Sequence, residues 1–233
     1  MTPQAMSAPC TVKLMIVVFD LDDTLYPESA YALSALTAAG RFAQAEFGWD
    51  AFAAKLTELF ASGRRRELFQ VAARDLGLSQ PTEQQLAALL SAYREHRPIS
   101  LPWHPDALEV VRTLHVQRPL ALISDGYLPA QQYKAEALGL AQWIPNPIFT
   151  EALGREHWKP SPRAFELLMS RHPRGDFVYV ADNPGKDFIA PRALGWKTIR
   201  IRRLEGIYAQ ATDAPSGSPD RVIDSLRELP ALL

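Results

Sequence analysis

Cysteine is almost missing from this chain of 233 residues: Cys10 is the only one. A single thiol excludes an intramolecular disulfide and any thiolate metal centre, so stability must come from a packed core, and a reducing compartment is permitted. No run approaches the roughly 20 consecutive apolar residues of a membrane-spanning helix. An excess of charge of either sign is missing too, with 25 basic residues against 26 acidic ones. That balance gives no overall field to draw nucleic acid or an anionic membrane, and neither is expected as a partner. Metal-binding histidine spacing is also lacking: His96, His104, His115, His157 and His172 are scattered and read as structural. Met1 to Lys13 lacks the charged start and long apolar region of a secretory signal, so a frayed leader to a cytoplasmic protein is expected. No internal repeat or low-complexity tract is visible.

Against these absences, one stretch stands out. The apolar run Leu14 to Phe19 reads as a buried strand and ends abruptly in Asp20, Asp22 and Asp23. Burying so much like charge is costly without a compensating cation. The loop after a central parallel strand is also where open α/β sheets place their ligands. The stretch therefore reads as a metal site with a carboxylate free to act as nucleophile.

From Ala30 to about His96 the chain carries almost no strand signal. Ala, Leu, Gln, Glu and Arg dominate, with apolar residues at helical spacing such as Leu86, Leu89, Leu90 and Tyr93. Breaks at Gly48, Ser62-Gly63, Gly77 and Gln80-Pro81 leave room for about four helices, the last beginning at Ser79 or Thr82. This block is too long for a simple crossover. Beyond Pro98, Pro102 and Pro105 the pattern alternates: a helix from about Pro105 to Val116, a strand over Pro119 to Ile123, a helix over Pro129 to Leu138 and a short strand over Pro147 to Thr150. A helix from Ser161 to about Arg171, a strand over Phe177 to Ala181, a helix over Phe188 to Leu194 and a strand over Lys197 to Ile201 follow. Such alternation predicts an α/β fold with a doubly wound parallel sheet and right-handed crossovers. Ala211 to Asp220 reads as a mobile loop, and Arg221 to Leu229 as a terminal helix.

Three more polar constellations follow the strands. Ser124-Asp125-Gly126 ends the second strand, Lys159 sits between Trp158 and Pro160, and Asp182 and Asp187 bracket the loop after Ala181. Together with Asp20-Leu21-Asp22-Asp23-Thr24 they resemble, in order, the four motifs of the haloacid dehalogenase (HAD) superfamily, whose first motif is D-x-D-x-T and whose phosphatases form an aspartyl-phosphate intermediate. The resemblance covers about residues 14 to 24 and 104 to 204. Ala181 stands where the fourth motif has glycine, a minor departure, since alanine still permits close backbone approach.

That resemblance implies a Rossmann-like core formed by residues 1–25 and 99–233, and a small all-helical cap domain over residues 26–98. It implies that Asp20 is the nucleophile and that Asp22 protonates the leaving oxygen and then activates water, its backbone carbonyl reaching the metal. Lys159 would neutralise the nucleophile and the transferring phosphoryl group. Ser124 and the N–H groups of Asp125 and Gly126 would bind phosphoryl oxygens. Asp20, Asp22, Asp182 and Asp187 would hold Mg²⁺, with Asp182 direct and Asp187 through water. Tyr26, Glu28 and Tyr31, just after the first motif, are expected to select the substrate.

The expected activity is Mg²⁺-dependent hydrolysis of a small phosphorylated metabolite, a sugar phosphate or a nucleotide. Asp22 argues against haloalkanoate dehalogenation, where no leaving alkoxide needs a proton. A phosphomutase, or a binding module of the same fold without turnover, stands as the alternative. The basic clusters Arg64 to Arg66 and Arg200, Arg202 and Arg203 read as solvated faces or surface near a phosphate. Nothing in the sequence gives the oligomeric state.

Overall fold

The computed structural model describes residues 14–233; the expected leader, with Cys10, lies outside the described residues. The central sheet has six strands, all paired in parallel: β1 (Leu14–Phe19), β2 (Leu120–Ser124), β3 (Ile148–Phe149), β4 (Gly175–Ala181), β5 (Lys197–Ile201) and β6 (Arg221–Ile223). Their order is β3-β2-β1-β4-β5-β6, so the winding reverses between β1 and β4. That reversal is the crevice where doubly wound sheets bind ligands. Phe19 is in register with Leu122 on one side and Val180 on the other, so the loop from Asp20 begins between the last residues of β2 and β4.

β1 is apolar along its length because both faces are covered. Val17 and Phe19 pack with α5 (Pro105–His115) through Ala107, Val111 and Leu114. Ile16 and Val18 pack on the other face with Phe165 and Leu168 of α7 (Arg163–Arg171) and with Tyr179. A helix, α6 (Ala130–Ala137), follows β2, and a short one, α8 (Ile189–Ala193), precedes β5.

Between β1 and α5 stand four helices: α1 (Glu28–Phe47), α2 (Phe52–Ala61), α3 (Leu68–Asp75) and α4 (Glu83–Arg94). Their ends follow the expected breaks. Gly48 closes α1 in the left-handed conformation with φ 68°, and Thr82 begins α4 in a capping box with Gln85. The helices pack on a core of their own, formed by Leu36, Phe52, Leu56, Phe69 and Leu89 among others. Gly40 lets α1 and α2 touch, since a Cβ there would come within 2.3 Å of Ala53 Cα. The block leaves and rejoins the sheet at one point, where the His104 N–H donates to Leu25 O at 3.0 Å.

One expectation near the C-terminus is corrected. The expected terminal helix is instead the edge strand β6 followed by a 3-10 helix, Leu226–Leu232. Arg221 and Ile223 align with Ile199 and Ile201 of β5, and a capping box of Ser225 with Glu228 starts the new turn. The stretch 211–220 is a loop, as expected; the Ala214 N–H donates to Pro184 O at 3.0 Å, and Asp220 Oδ2 accepts from the Thr198 N–H at 2.8 Å.

Arg64 to Arg66 are exposed, as a solvated face would be, while Arg200, Arg202 and Arg203 meet acids. Arg65 lies 3.9 Å over the Phe60 ring, Arg200 pairs with Asp213 and Arg202 with Asp224. Arg203 donates to both oxygens of Asp106, at 3.0 and 2.8 Å, and to Thr24 O at 2.9 Å. Asp106 also accepts from the Ser225 hydroxyl and the Leu226 N–H, so this buried pair joins α5, the chain end and the loop after β1.

Candidate active site

The loops leaving β1 and β4 meet at the reversal. The Asp20 N–H donates to Val180 O at 2.9 Å, which sets Asp20 beside the end of β4. The loop from Asp182 closes on itself, with the Asn183 N–H donating to Asp187 Oδ2 at 3.1 Å. One carboxylate oxygen from each of Asp20, Asp182 and Asp187 lies within 4.8 Å of the others, and all three residues are buried. Lys159 enters the same group. Its Nζ donates to Asp20 Oδ1 at 2.6 Å and to the Tyr179 hydroxyl at 3.0 Å, and stands 2.8 Å from Asp187 Oδ1.

Three buried carboxylates against one ammonium leave the group short of positive charge. Burial, opposed by Lys159 and reinforced by Asp187, pushes the Asp20 carboxyl up to about 7. Asp182 is driven well above the usual carboxylate range by burial, then by Asp187 and Asp20. Burial alone would lower Lys159, but Asp187 and Asp20 outweigh it and hold the ammonium well above its ordinary value. Asp187 Oδ1 is buried, and its only partner among the described residues is Lys159 Nζ, in an ion pair. Three buried carboxylates that share one ammonium are hard oxygen donors, a set that fits a divalent cation such as Mg²⁺.

Asp22 points elsewhere. Its Oδ1 accepts from the Tyr26 hydroxyl and from Lys134 Nζ at 2.8 Å, and its Oδ2 from Gln131 Nε2 at 2.9 Å. Burial works to raise this carboxyl, but Lys134, Tyr26 and Gln131 together hold it below the usual range. Its side chain is thus outside the carboxylate trio. Asp23 also faces the scaffold, accepting from the N–H groups of Glu28 and Ile207 at 2.8 and 2.9 Å.

The second motif braces the third and fourth. Asp125 Oδ1 accepts from the Thr150 hydroxyl at 2.8 Å and the Lys159 N–H at 3.0 Å, and Oδ2 pairs with Lys186 at 2.6 Å. Burial opposes ionisation, yet Lys159 and Lys186 keep Asp125 below the usual range. Ser124 is buried with its Oγ accepting from Gln131 Nε2 at 2.7 Å, while Gly126, with φ 138°, lies on the cavity wall.

These groups open into a cavity of about 280 Å³. Asp20, Asp22, Asp125 and Lys134 form its floor, and Glu28, Tyr31, Tyr93 and Arg94 of the helical block form the facing wall. Burial, then Asp22, pushes the Glu28 carboxyl up to about 8. Of the three residues expected to select the substrate, Glu28 and Tyr31 line the cavity. Tyr26 is fully buried beneath Asp22, does not line it and acts on that carboxylate instead. His157 also lies off the cavity wall, 3.8 Å from Glu156.

Gln131, Lys134 and Tyr179 were not singled out by the sequence. Lys134 repeats four residues after the buried Ala130 and is itself buried, so a lysine within an apolar helical stripe was the one available signal.

A family model described as haloacid dehalogenase-like hydrolase matches residues 14–195. The chain belongs to that family. Two curated relatives of this haloacid dehalogenase-like hydrolase are phosphatases by name. One is the ribulose-1,5-bisphosphate 5-phosphatase of Halopiger xanaduensis, 29% identical, with 93% of this chain and 98% of that one covered. The other is the glyceraldehyde 3-phosphate phosphatase of Methanopyrus kandleri, also 29% identical, with 91% and 94% covered. Among solved structures, the magnesium-bound HAD protein YfnB of Bacillus subtilis has the same fold, with a TM-score of 0.65, 18% identity, and 95% of this chain and 99% of that one covered. As a haloacid dehalogenase-like hydrolase, the chain is an enzyme.

Proposed function

We propose that the protein is a Mg²⁺-dependent phosphatase that hydrolyses a small phosphate monoester, with sugar phosphates as the first class to try, through a phosphorylated Asp20. One observation carries this reading: Asp20 ends a buried strand, in contact with Lys159 and beside Asp182 and Asp187, at the floor of a cavity that also holds Asp22. The names of the two curated relatives support the substrate class.

In this reading an Asp20 carboxylate oxygen attacks phosphorus as the bond to the leaving oxygen breaks. Lys159 neutralises Asp20 and the phosphoryl oxygens, and the Gly126 N–H faces the same oxygens. Asp22 gives a proton to the leaving oxygen, then takes one from the water that releases phosphate and restores Asp20. Lys134, Tyr26 and Gln131 hold Asp22 as the base at rest, so it takes up a proton, from solvent or from the entering ester, before it gives one. Asp20, Asp182, Asp187 and the Asp22 carbonyl would hold the Mg²⁺, which supplies charge neutralisation at the phosphoryl group. Residues 26–98 form a cap that closes over the cavity, excludes water and selects the leaving group through Glu28 and Tyr31.

Initial rates on a panel of sugar phosphates, nucleotides and p-nitrophenyl phosphate, with Mg²⁺ or with EDTA, test this for the wild type and Asp20→Asn. Turnover that needs both the metal and Asp20 is expected. Turnover undiminished in Asp20→Asn, or none on any ester, refutes it.

A further inference from the structure

Four cations stand in or beside the cavity, and three are answered by carboxylates. Lys159 meets Asp20 and Asp187, Lys134 meets Asp22, and Lys186 meets Asp125. The fourth, Arg94, has no carboxylate partner and donates no hydrogen bond among the described residues, although Glu28 shares its wall. Arg94 is the last residue of α4, and its guanidinium carbon lies 3.8 Å over the centre of the Tyr127 ring.

Tyr127 is itself fixed. Trp158 meets its ring edge-on at 5.4 Å, and Arg155, whose own charge is answered by Glu151 at 2.8 Å, lies 4.7 Å from it. A guanidinium stacked flat on an aromatic ring keeps its N–H edge free for bidentate bonds to a planar or tetrahedral anion. The stack also spans the two parts of the molecule, since Tyr127 follows β2. Arg94 is therefore a held, unpaired cation in the same cavity as Asp20.

We propose that Arg94 binds a second anionic group, carboxylate or phosphate, of a substrate whose first phosphate meets Asp20. This rests on the phosphatase reading above and narrows it to esters with two anionic ends. Arg94 already rests on the Tyr127 ring, so the second anion anchors the substrate between α4 and the loop after β2.

The test compares kcat/KM for glycerol phosphate with phosphoglycerate and glycerol bisphosphate, and for a pentose monophosphate with a pentose bisphosphate. Wild type is expected to favour a member with two anions by about tenfold to a hundredfold, the range for a charge-assisted bond. Which member gains tells carboxylate from phosphate. Arg94→Gln should abolish that ratio mainly through KM, and Arg94→Lys should keep part of it. Arg94→Lys carries the test should Arg94→Gln melt early. A ratio unchanged in both variants, or no preference in wild type while the monophosphates are hydrolysed, overturns the inference and leaves the phosphatase reading standing. No hydrolysis of any ester overturns both.

Discussion

Replacing Arg203 by methionine tests how the loop after β1 is held. The substitution keeps most of the aliphatic stem and removes the guanidinium, with its two bonds to Asp106 and its bond to Thr24 O. Both side chains are nearly buried, at 11% and 8% exposed. Breaking a buried pair by removing one partner costs about 3–5 kcal/mol. Asp106 keeps the Ser225 and Leu226 donors, which places the loss at the low end, about 3 kcal/mol. At about 2–4 °C per kcal/mol for a chain of this size, the melting temperature should fall by roughly 6–12 °C. Urea unfolding of wild type and Arg203→Met measures the energy directly, and a cycle with Asp106→Asn isolates the coupling. The pH dependence has a definite sign. Burial works to raise Asp106, but the bonds from Arg203 and from the Leu226 N–H outweigh it and hold the carboxyl below its ordinary value. A depressed carboxyl stabilises the fold above its unfolded value of about 4, and that stability is lost as pH falls through the folded value. The gap between wild type and variant should therefore narrow in acid. A loss under about 1 kcal/mol, or a gap that persists unchanged to about pH 3, refutes the reasoning.

Metal binding should be linked to protons. Asp20, pushed up to about 7, and Asp182 must both be ionised to take a cation, so Mg²⁺ affinity by calorimetry should rise with pH through neutrality; an affinity flat from about pH 6 to 8 would count against that donor set. Tyr26→Phe and Gln131→Ala each remove a donor from Asp22, and each should lower kcat by about tenfold with KM little changed; a change confined to KM would mean that they contact substrate instead. Gly40→Val should cost about 1–3 kcal/mol by forcing α1 from α2, read as faster proteolysis within residues 28–94, and equal protease resistance would show that the helices can spread without loss.

The catalytic candidates were legible where chemistry coincides with strand ends. Asp20, Lys159, Asp182 and Asp187 lie next to buried runs or proline breaks, and acidic residues there have few structural reasons to exist. The sheet and the four helices were legible for a similar reason, since Gly48 and Thr82 carry local signals whose effect does not depend on distant contacts. Gln131 and Lys134 were not, because a polar residue on a helix reads as solvent-facing until its neighbour across space is known. Tyr26 was placed at the substrate for the converse reason: proximity in sequence to Asp20 does not reveal that the ring turns under Asp22. β6 was read as helix because three residues carry too little pattern, and its pairing with β5 is a long-range fact.

The bond from the His104 N–H to Leu25 O has a consequence for descent. To the sheet, everything between those residues is one surface loop whose ends are already joined. Loop closure costs only about 0.6 kcal/mol more for each doubling of length, so inserts of different size or origin can be exchanged at that neck with little effect on the strands. Glu28, Tyr31, Tyr93 and Arg94 would be replaced together, while Asp20, Lys159, Asp182 and Asp187 would stay. Lineages can thus change what enters the cavity without reinventing the reaction, and overall identity between two such proteins becomes a poor guide to whether they share a substrate.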